Sequence, residues 1–415
     1  PQTCFNVLAS RLALRYVPTR GASGSLFGEQ LSFAHTAVDR HMRILVKVET
    51  DSTLHIRSPS EPVLAVAASL IMMPTPLQDI SDVGLVGQKA SNRYGSMLET
   101  LQNNCLASAD INILKGTRGE LMARLLLMTA WDATKISIPG FRETENEDWK
   151  AQELLKPVTL NAILNGLVKL DESSAETVRR RIDNACSTVQ NQLGGAAKVQ
   201  AWTHYTHFDI LETKVEAIST EYLWYCWKRG VGIQMSHPQH GIDGIIPVYI
   251  GDLDWPMVDK SKTSDPDPEG EGRFALGVDE TASSQQTAPS VGIQGKVQVA
   301  HQMTYIAWEA KNRKKSGPAM ADEAAAKPRH AGPTTRHATG DISELSSRGL
   351  LTLLADMGTT ESHPPRVADI KESGSLQIWI RGVDGVDNYP CLDKLEIRNV
   401  AVKFLRTVSN YVDLN

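Results

Sequence analysis

Apolar residues recur along this chain at two spacings, and the change falls near Gly230. Upstream the spacing is helical. Leu121, Arg124/Leu125, Met128 and Trp131/Asp132 predict an amphipathic helix from about Arg118 to Thr134, and Thr117-Arg118-Gly119-Glu120 fits a capping box at its start. Pro62 to Met73, Thr159 to Leu170, Ser174 to Leu193 and Ser219 to Lys228 predict further helices, the first opened by a proline that a first turn tolerates. Downstream the period shortens. Val231 to Met235 and Ile242 to Ile250 predict strands separated by a polar turn at 237–241, and strand character returns from Val297 to Lys311. Pro247 lacks a ladder donor, which predicts an edge or irregular pairing for its strand. Asp341 is placed to cap a helix running through about Asp356, Leu376 to Arg381 predicts a late strand, and Leu392 to Tyr411 a mixed closing segment.

Helices followed by strands, a helix and a strand predict an α/β or α+β protein with a mixed central sheet flanked by helices. Residues 1–115 hold short strand-like pieces such as Arg43 to Val48 and the helix that Pro62 opens, and form an N-terminal region, with a second unit over 116–415. Within that unit, 251–298 is rich in Asp, Glu, Pro, Gly, Ser and Thr and predicts a mobile insertion. The Ala/Pro/Gly-rich stretch 314–340 predicts a second flexible segment.

The 415 residues carry a formal net charge of −5, so there is no overall basic field, and nucleic-acid contact would need a local patch or bound metal. Such a neighbourhood follows residue 311: Arg313, Lys314, Lys315, Lys327, Arg329 and Arg336, which is also readable as a solvated linker. Five scattered cysteines without CxxC spacing argue for reduced thiols inside a cell, in nucleus or cytoplasm. The longest apolar run, Val63 to Met73, is too short to span a bilayer, and no secretory signal opens the chain. A start at Pro1 fits a Met-processed chain or a fragment of something longer.

Two acids stand in apolar runs, where they require a compensating partner. One is Asp243, in Gly241-Ile242-Asp243-Gly244-Ile245; the other is Glu309, in Ala307-Trp308-Glu309-Ala310-Lys311. Four acid-x-Lys triplets occur, at Asp148, Glu212, Glu309 and Asp369, against about two expected by chance. Asp148 reads as a polar loop and Glu212 as lying on or beside a helix, so only Glu309 ends a convincing strand with an aspartate-bearing strand before it. Alternation puts Tyr305, Ala307, Glu309 and Lys311 on one face and Thr304, Ile306, Trp308 and Ala310 on the other. Two carboxylates can hold Mg²⁺ or Mn²⁺, and a lysine two residues on can orient a nucleophilic water and offset phosphate charge. Plainer readings stay open: Glu120 as the third residue of a capping box, Asp243 as a turn residue beside Gly241 and Gly244, and Glu309/Lys311 as a solvated strand end.

On these residues the chain resembles the PD-(D/E)XK nuclease superfamily, over roughly 117–381. The resemblance implies a restriction-endonuclease-like fold and a metal-dependent phosphodiesterase acting on DNA or RNA. It implies Glu120, Asp243, Glu309 and Lys311 as catalytic residues, Asp243 and Glu309 as ligands of Mg²⁺ or Mn²⁺, and Arg313, Lys314 and Lys315 as backbone contacts. Arg118-Gly119-Glu120, 233–248 and 308–312 are also similar to fungal proteins of transposon-associated or Crinkler-effector type, in which an NTPase module often accompanies such a domain. The alternatives are a degenerate nuclease-like module that binds nucleic acid or protein, and a fragment of a mobile-element protein with its chemistry elsewhere. Other motifs are weaker. The pairs His204/His207 and His237/His240 have zinc-ligand spacing but no cysteine partners and read as structural or surface residues, although His237 or Gln239 could approach the site from the turn. Residues 292–297 lack the first glycine and the hydroxyl of a phosphate loop, and no G-x-S-x-G or H-E-x-x-H occurs.

Overall fold

The structure is a computed structural model. It describes residues 10–13, 44–48, 54–57, 62–72, 115–192, 198–211, 215, 217–235, 242–253, 303–311, 334–336, 349–356, 363–370, 375–382, 388–394 and 398–399. The long predicted insertion falls outside these residues apart from 251–253, as does the stretch 314–340 apart from 334–336.

The architecture is mixed α/β. Its main sheet contains β3 (Val158–Thr159), β4 (Gln200–Thr203), β5 (His207–Ile210), β7 (Val231–Gln234), β8 (Gly244–Gly251), β9 (Met303–Lys311), β11 (Leu351–Asp356), β12 (His363–Ile370) and β13 (Ser375–Arg381). The strands run in the order β12-β13-β11-β9-β8-β4-β3, with β7 also on β8 and β5 beside β7. β8 and β9 are antiparallel, whereas β11 runs parallel to both β9 and β13. Two smaller pairs stand apart from this sheet: β1 (Ile44–Val48) with β2 (Leu54–Arg57), and β6 (Ala217–Ser219) with β10 (Thr334–Arg336).

Helices cover both faces. On one side lie α2 (Lys115–Lys135), α4 (Leu160–Leu167) and α5 (Glu172–Gln192), joined by α1 (Pro62–Met72) and α7 (Pro390–Lys394). Leu121, Leu125, Ile163, Val178, Ile246, Ile306 and Trp308 meet there in one core, to which Leu12, Val66 and Met72 from the first 72 residues also belong. On the other side α6 (Thr220–Lys228) packs Leu223 and Trp227 over Ile233, Ile245, Tyr249, Tyr305 and Ala307. The two clusters divide β9 as strand alternation predicts. Helix starts are locally encoded: Thr159 Oγ1 accepts from Ala162 N (3.4 Å), and Ser219 Oγ from Tyr222 N (3.1 Å). Among the described residues no helix is long and apolar enough to cross a membrane. Cys186, Cys226 and Cys391 are free, buried thiols.

The structure corrects several expectations. Leu351 to Asp356 is a strand, not the end of a helix; it lies between β9 and β13 and buries both faces, so its apolar run carries no alternation to separate the two states. Pro247 lies in an interior strand rather than at an edge, and of the two alternatives the irregular pairing holds. Its carbonyl accepts from Thr203 Oγ1 (3.2 Å), so its nitrogen points to the same edge. On that edge the neighbour changes from β7, paired at 244–245, to β4, paired at 248–251, so the missing donor falls in the gap. Strand β12 holds two prolines and was not expected; it is an outer strand, where proline is tolerated. Asp148 lies in the first turn of α3 (Glu147–Leu155), capped by Asn146, and not in a loop. Nor is Glu309 alone in ending a strand, because Asp369 lies near the end of β12, exposed. Helix α2 begins at Lys115, which puts Thr117 inside it rather than at its cap.

Candidate functional site at the end of the sheet

Asp243 sits at a bend just before β8 and is tied to both neighbouring strands. Its N–H donates to Trp308 O (2.9 Å), its C=O accepts from Met235 N (2.8 Å), and its carboxylate accepts from Ala310 N (2.6 Å). Asp243 is thus bonded to the residues on either side of Glu309, which is only 4% exposed. By alternation Glu309 projects from the α6 face. Gly244 is required for this close approach. A Cβ there would meet Trp308 Cζ2 at 2.4 Å and Ile233 O at 2.5 Å.

Lys311 is the last residue of β9 and pairs in register with Asp356, the last residue of β11. Asp356 is 1% exposed, and the sequence reading missed it as an acid at this end of the sheet. The signal was available, since 351–356 is an apolar run ending in an acid, as 303–309 is. Burial first, then the charges of Cys391 and Asp356, raises the Tyr389 phenol above its ordinary range.

Glu120 approaches over the opposite face. It is half-buried on α2, and its Oε2 accepts from Gln234 Nε2 (3.0 Å). Gln234 is the last residue of β7 and pairs with Gly244, the neighbour of Asp243. Glu120 therefore reaches the same end of the sheet as Asp243 and Glu309, through a glutamine that the sequence reading did not single out. Arg313, Lys314, Lys315, Lys327 and Arg329 lie outside the described residues, as do His237, Gln239 and His240, while Arg336 ends β10.

Could these residues hold a divalent ion? The donors at this end are oxygens, which suits a hard cation such as Mg²⁺ or Mn²⁺ rather than zinc. Among the described residues no group of three or more His, Cys, Asp or Glu side chains is placed to hold a metal. An ion here would take Asp243 and Glu309, with water and phosphate oxygens completing the shell. Mg²⁺ is commonly held in that way. A buried acceptor without a partner among the described residues, Gln234 Oε1, adds an oxygen at the same strand end.

The first histidine pair is structural. His204 Nδ1 faces the Trp227 carbonyl at 2.9 Å, which can only accept, and its ring packs on Trp131. Burial lowers His204 to about 4, and burial with the charges of Arg11 and Arg229 lowers His207 to about 3. Both rings are neutral core groups. Comparison with protein-family models, curated proteins and solved structures returned no match to this chain.

Proposed function

We propose that this protein is a metal-dependent phosphodiesterase that cleaves nucleic acid at the end of its sheet. One observation carries the reading: strands β8 and β9, far apart in sequence, lie side by side with Asp243 bonded on both sides of Glu309. A mixed sheet with a glutamate-bearing helix on one face and the Asp and Glu-x-Lys strands adjacent is what a restriction-endonuclease-like fold requires. Asp243 and Glu309 would hold the ion. When bound, such an ion supplies Lewis-acid polarisation of a phosphate oxygen. Lys311 at the strand end would orient the attacking water and offset phosphate charge, and Glu120 would assist from α2.

Incubating the protein with supercoiled DNA and, separately, with structured RNA in Mg²⁺ or Mn²⁺ tests this reading and identifies the substrate. Cleavage should require the ion, and Lys311→Ala or Asp243→Ala should reduce it about 100-fold or more at unchanged circular dichroism, the scale on which a positioned catalytic group acts. Equal cleavage by the variants would overturn the assignment. A second reading, a degenerate module that binds without cutting, is favoured by the burial of Glu309 and by the use of the Asp243 carboxylate as a cap on β9. Salt-sensitive binding without cleavage in either ion would select it.

A further inference from the structure

Three parallel strands end in one row. Lys311, Asp356 and Arg381 are the last residues of β9, β11 and β13, and the register pairs Asp356 with each of the other two. In open α/β sheets, ligands gather at the carboxyl ends of the strands. The parallel row two residues earlier is Glu309, Leu354 and Trp379, and β12 adds Arg366 opposite Trp379. Ile378 and Ile380 belong to the core beneath α2, so alternation turns Trp379 and Arg381 to the other face, the one from which Glu309 projects. Residues directly opposite across an antiparallel pair share a face, which brings Arg366 to it as well.

On that face Arg381 is a cation without a described anion. Its guanidinium carbon lies 4.0 Å from the centre of the Trp379 ring, so a buried indole supports it. Its Nε is buried with no acceptor among the described residues, and no ion pair joins the guanidinium to a described carboxylate. The acids nearest by register, Glu309 and Asp356, are buried, whereas Arg366 is exposed and Arg381 half-buried. The described charge that meets solvent on this part of the face is therefore positive, in a chain of net charge −5. A buried donor needs an acceptor, and a guanidinium fork matches the oxygens and the charge of a phosphate.

We infer that Arg381, supported by Trp379, binds a backbone phosphate of the nucleic acid that flanks the one cut at the sheet end. The inference rests on the phosphodiesterase reading above and deepens it, because it gives the path of the bound strand: from β9 across β11 and β13 towards β12. Two strand spacings, about 10 Å, separate Lys311 from Arg381 along the ladder, so Arg381 takes a neighbouring phosphate and not the one attacked. Arg366 stands one strand further along the same path.

The test is fluorescence-anisotropy binding of a labelled DNA duplex and, separately, a labelled RNA hairpin to the full chain at stepped salt in EDTA. Without metal, binding is read apart from cleavage, and unfolding temperatures are measured in parallel. Arg381→Gln should weaken binding about tenfold and lower the slope of log affinity against log salt by about 0.9 on duplex, the share of one phosphate contact. Trp379→Leu should weaken binding about threefold at an unchanged slope, because the charge stays while its support is lost. Arg179→Gln, which removes an exposed cation of α5 paired with Glu176, should change neither quantity. Arg381→Lys keeps the charge and loses the fork, so it should keep the slope and bind about threefold more weakly; it carries the test should Arg381→Gln not fold. Wild-type affinity and slope in Arg381→Gln, or wild-type affinity in Arg381→Lys, would overturn the inference and leave the phosphodiesterase reading standing. An equal loss in Arg179→Gln would mark a general surface field and overturn it likewise. Absence of binding by the wild-type protein would also overturn it, and the cleavage assay above then decides separately whether the phosphodiesterase reading falls too.

Discussion

Asp132 and Asp243 are both carboxylates with apolar neighbours, and the molecule answers them differently. Asp132, in the last turn of α2, is completely buried. Arg11 meets it with two parallel bonds of 2.7 and 2.9 Å, Ser69 adds a third of 2.9 Å, and Arg11 Nε is in turn held by Thr206 O (2.9 Å). This is a closed ion pair that joins the start of the chain to α1, α2 and the β4–β5 connection. Asp243 lies at a bend just before a strand, is only partly buried, and its carboxylate accepts from a backbone N–H. A carboxylate matched by a guanidinium and a hydroxyl in the interior has no role left but to specify packing. One held by a strand end, beside a second acid, keeps the chemistry that an ion could use. An apolar neighbourhood in the sequence, taken alone, does not distinguish the two; the access to solvent does.

The largest effect should come from the interior pair. Arg11→Ala leaves the Asp132 charge without its cation and should lower the unfolding free energy by about 3–5 kcal/mol, read by urea denaturation. Arg11→Met with Asp132→Leu should recover most of that loss, and metal-stimulated cleavage per folded molecule should persist in the double variant. If cleavage disappears, the two regions are not separate in function.

An intermediate effect concerns acid. His204 and His207 titrate at about 4 and about 3 in the folded protein, both below the ordinary 6.5, so the unfolded chain takes up protons first. Their stabilisation is present above pH 6.5 and is lost as pH falls from 6.5 towards 4, at about 1.4 kcal/mol per pH unit for each ring. His204→Gln should flatten that slope by about half in chemical denaturation at stepped pH. Because His207 feels the charge of Arg11, acid should weaken this interior region first, and an unchanged slope would contradict the assignment of neutral buried rings.

The smallest effect on stability should come from the sheet end. Asp243→Asn keeps an oxygen for the Ala310 N–H and should change the unfolding free energy by about 1 kcal/mol or less, while Mn²⁺ binding by the same variant falls sharply. A loss as large as that of Arg11→Ala would mark Asp243 as another structural acid and dissolve the contrast.

Much of the local structure was legible. The spacing of Leu121, Leu125 and Met128 located α2, alternation assigned the two faces of β9, and the threonine and serine caps at 159 and 219 mark helix starts as residues of these types do. Less legible were elements buried on both sides. Nearly all of 351–356 is buried, so it carries no polar stripe to set its period. Strands β4 and β5 were not predicted: in this stretch only the His204/His207 spacing stood out, although the aromatic residues beside it favour a strand. Gln234 could not have been singled out, since nothing local distinguishes a glutamine that ends a strand.

What the residues alone determined is a set of acids placed at the ends of apolar runs, together with the helices and strands whose period and caps are written within a few positions of themselves. Which acid meets which partner was decided only by the folded chain, where Asp132 finds Arg11 121 positions away, Glu120 finds Gln234 across 114 and Asp243 finds the Ala310 amide across 67. The physical reason is range. Capping and periodicity act through neighbours in sequence, whereas the identity of a buried group's counterpart is settled by sheet register and packing, which bring together residues that no local pattern connects.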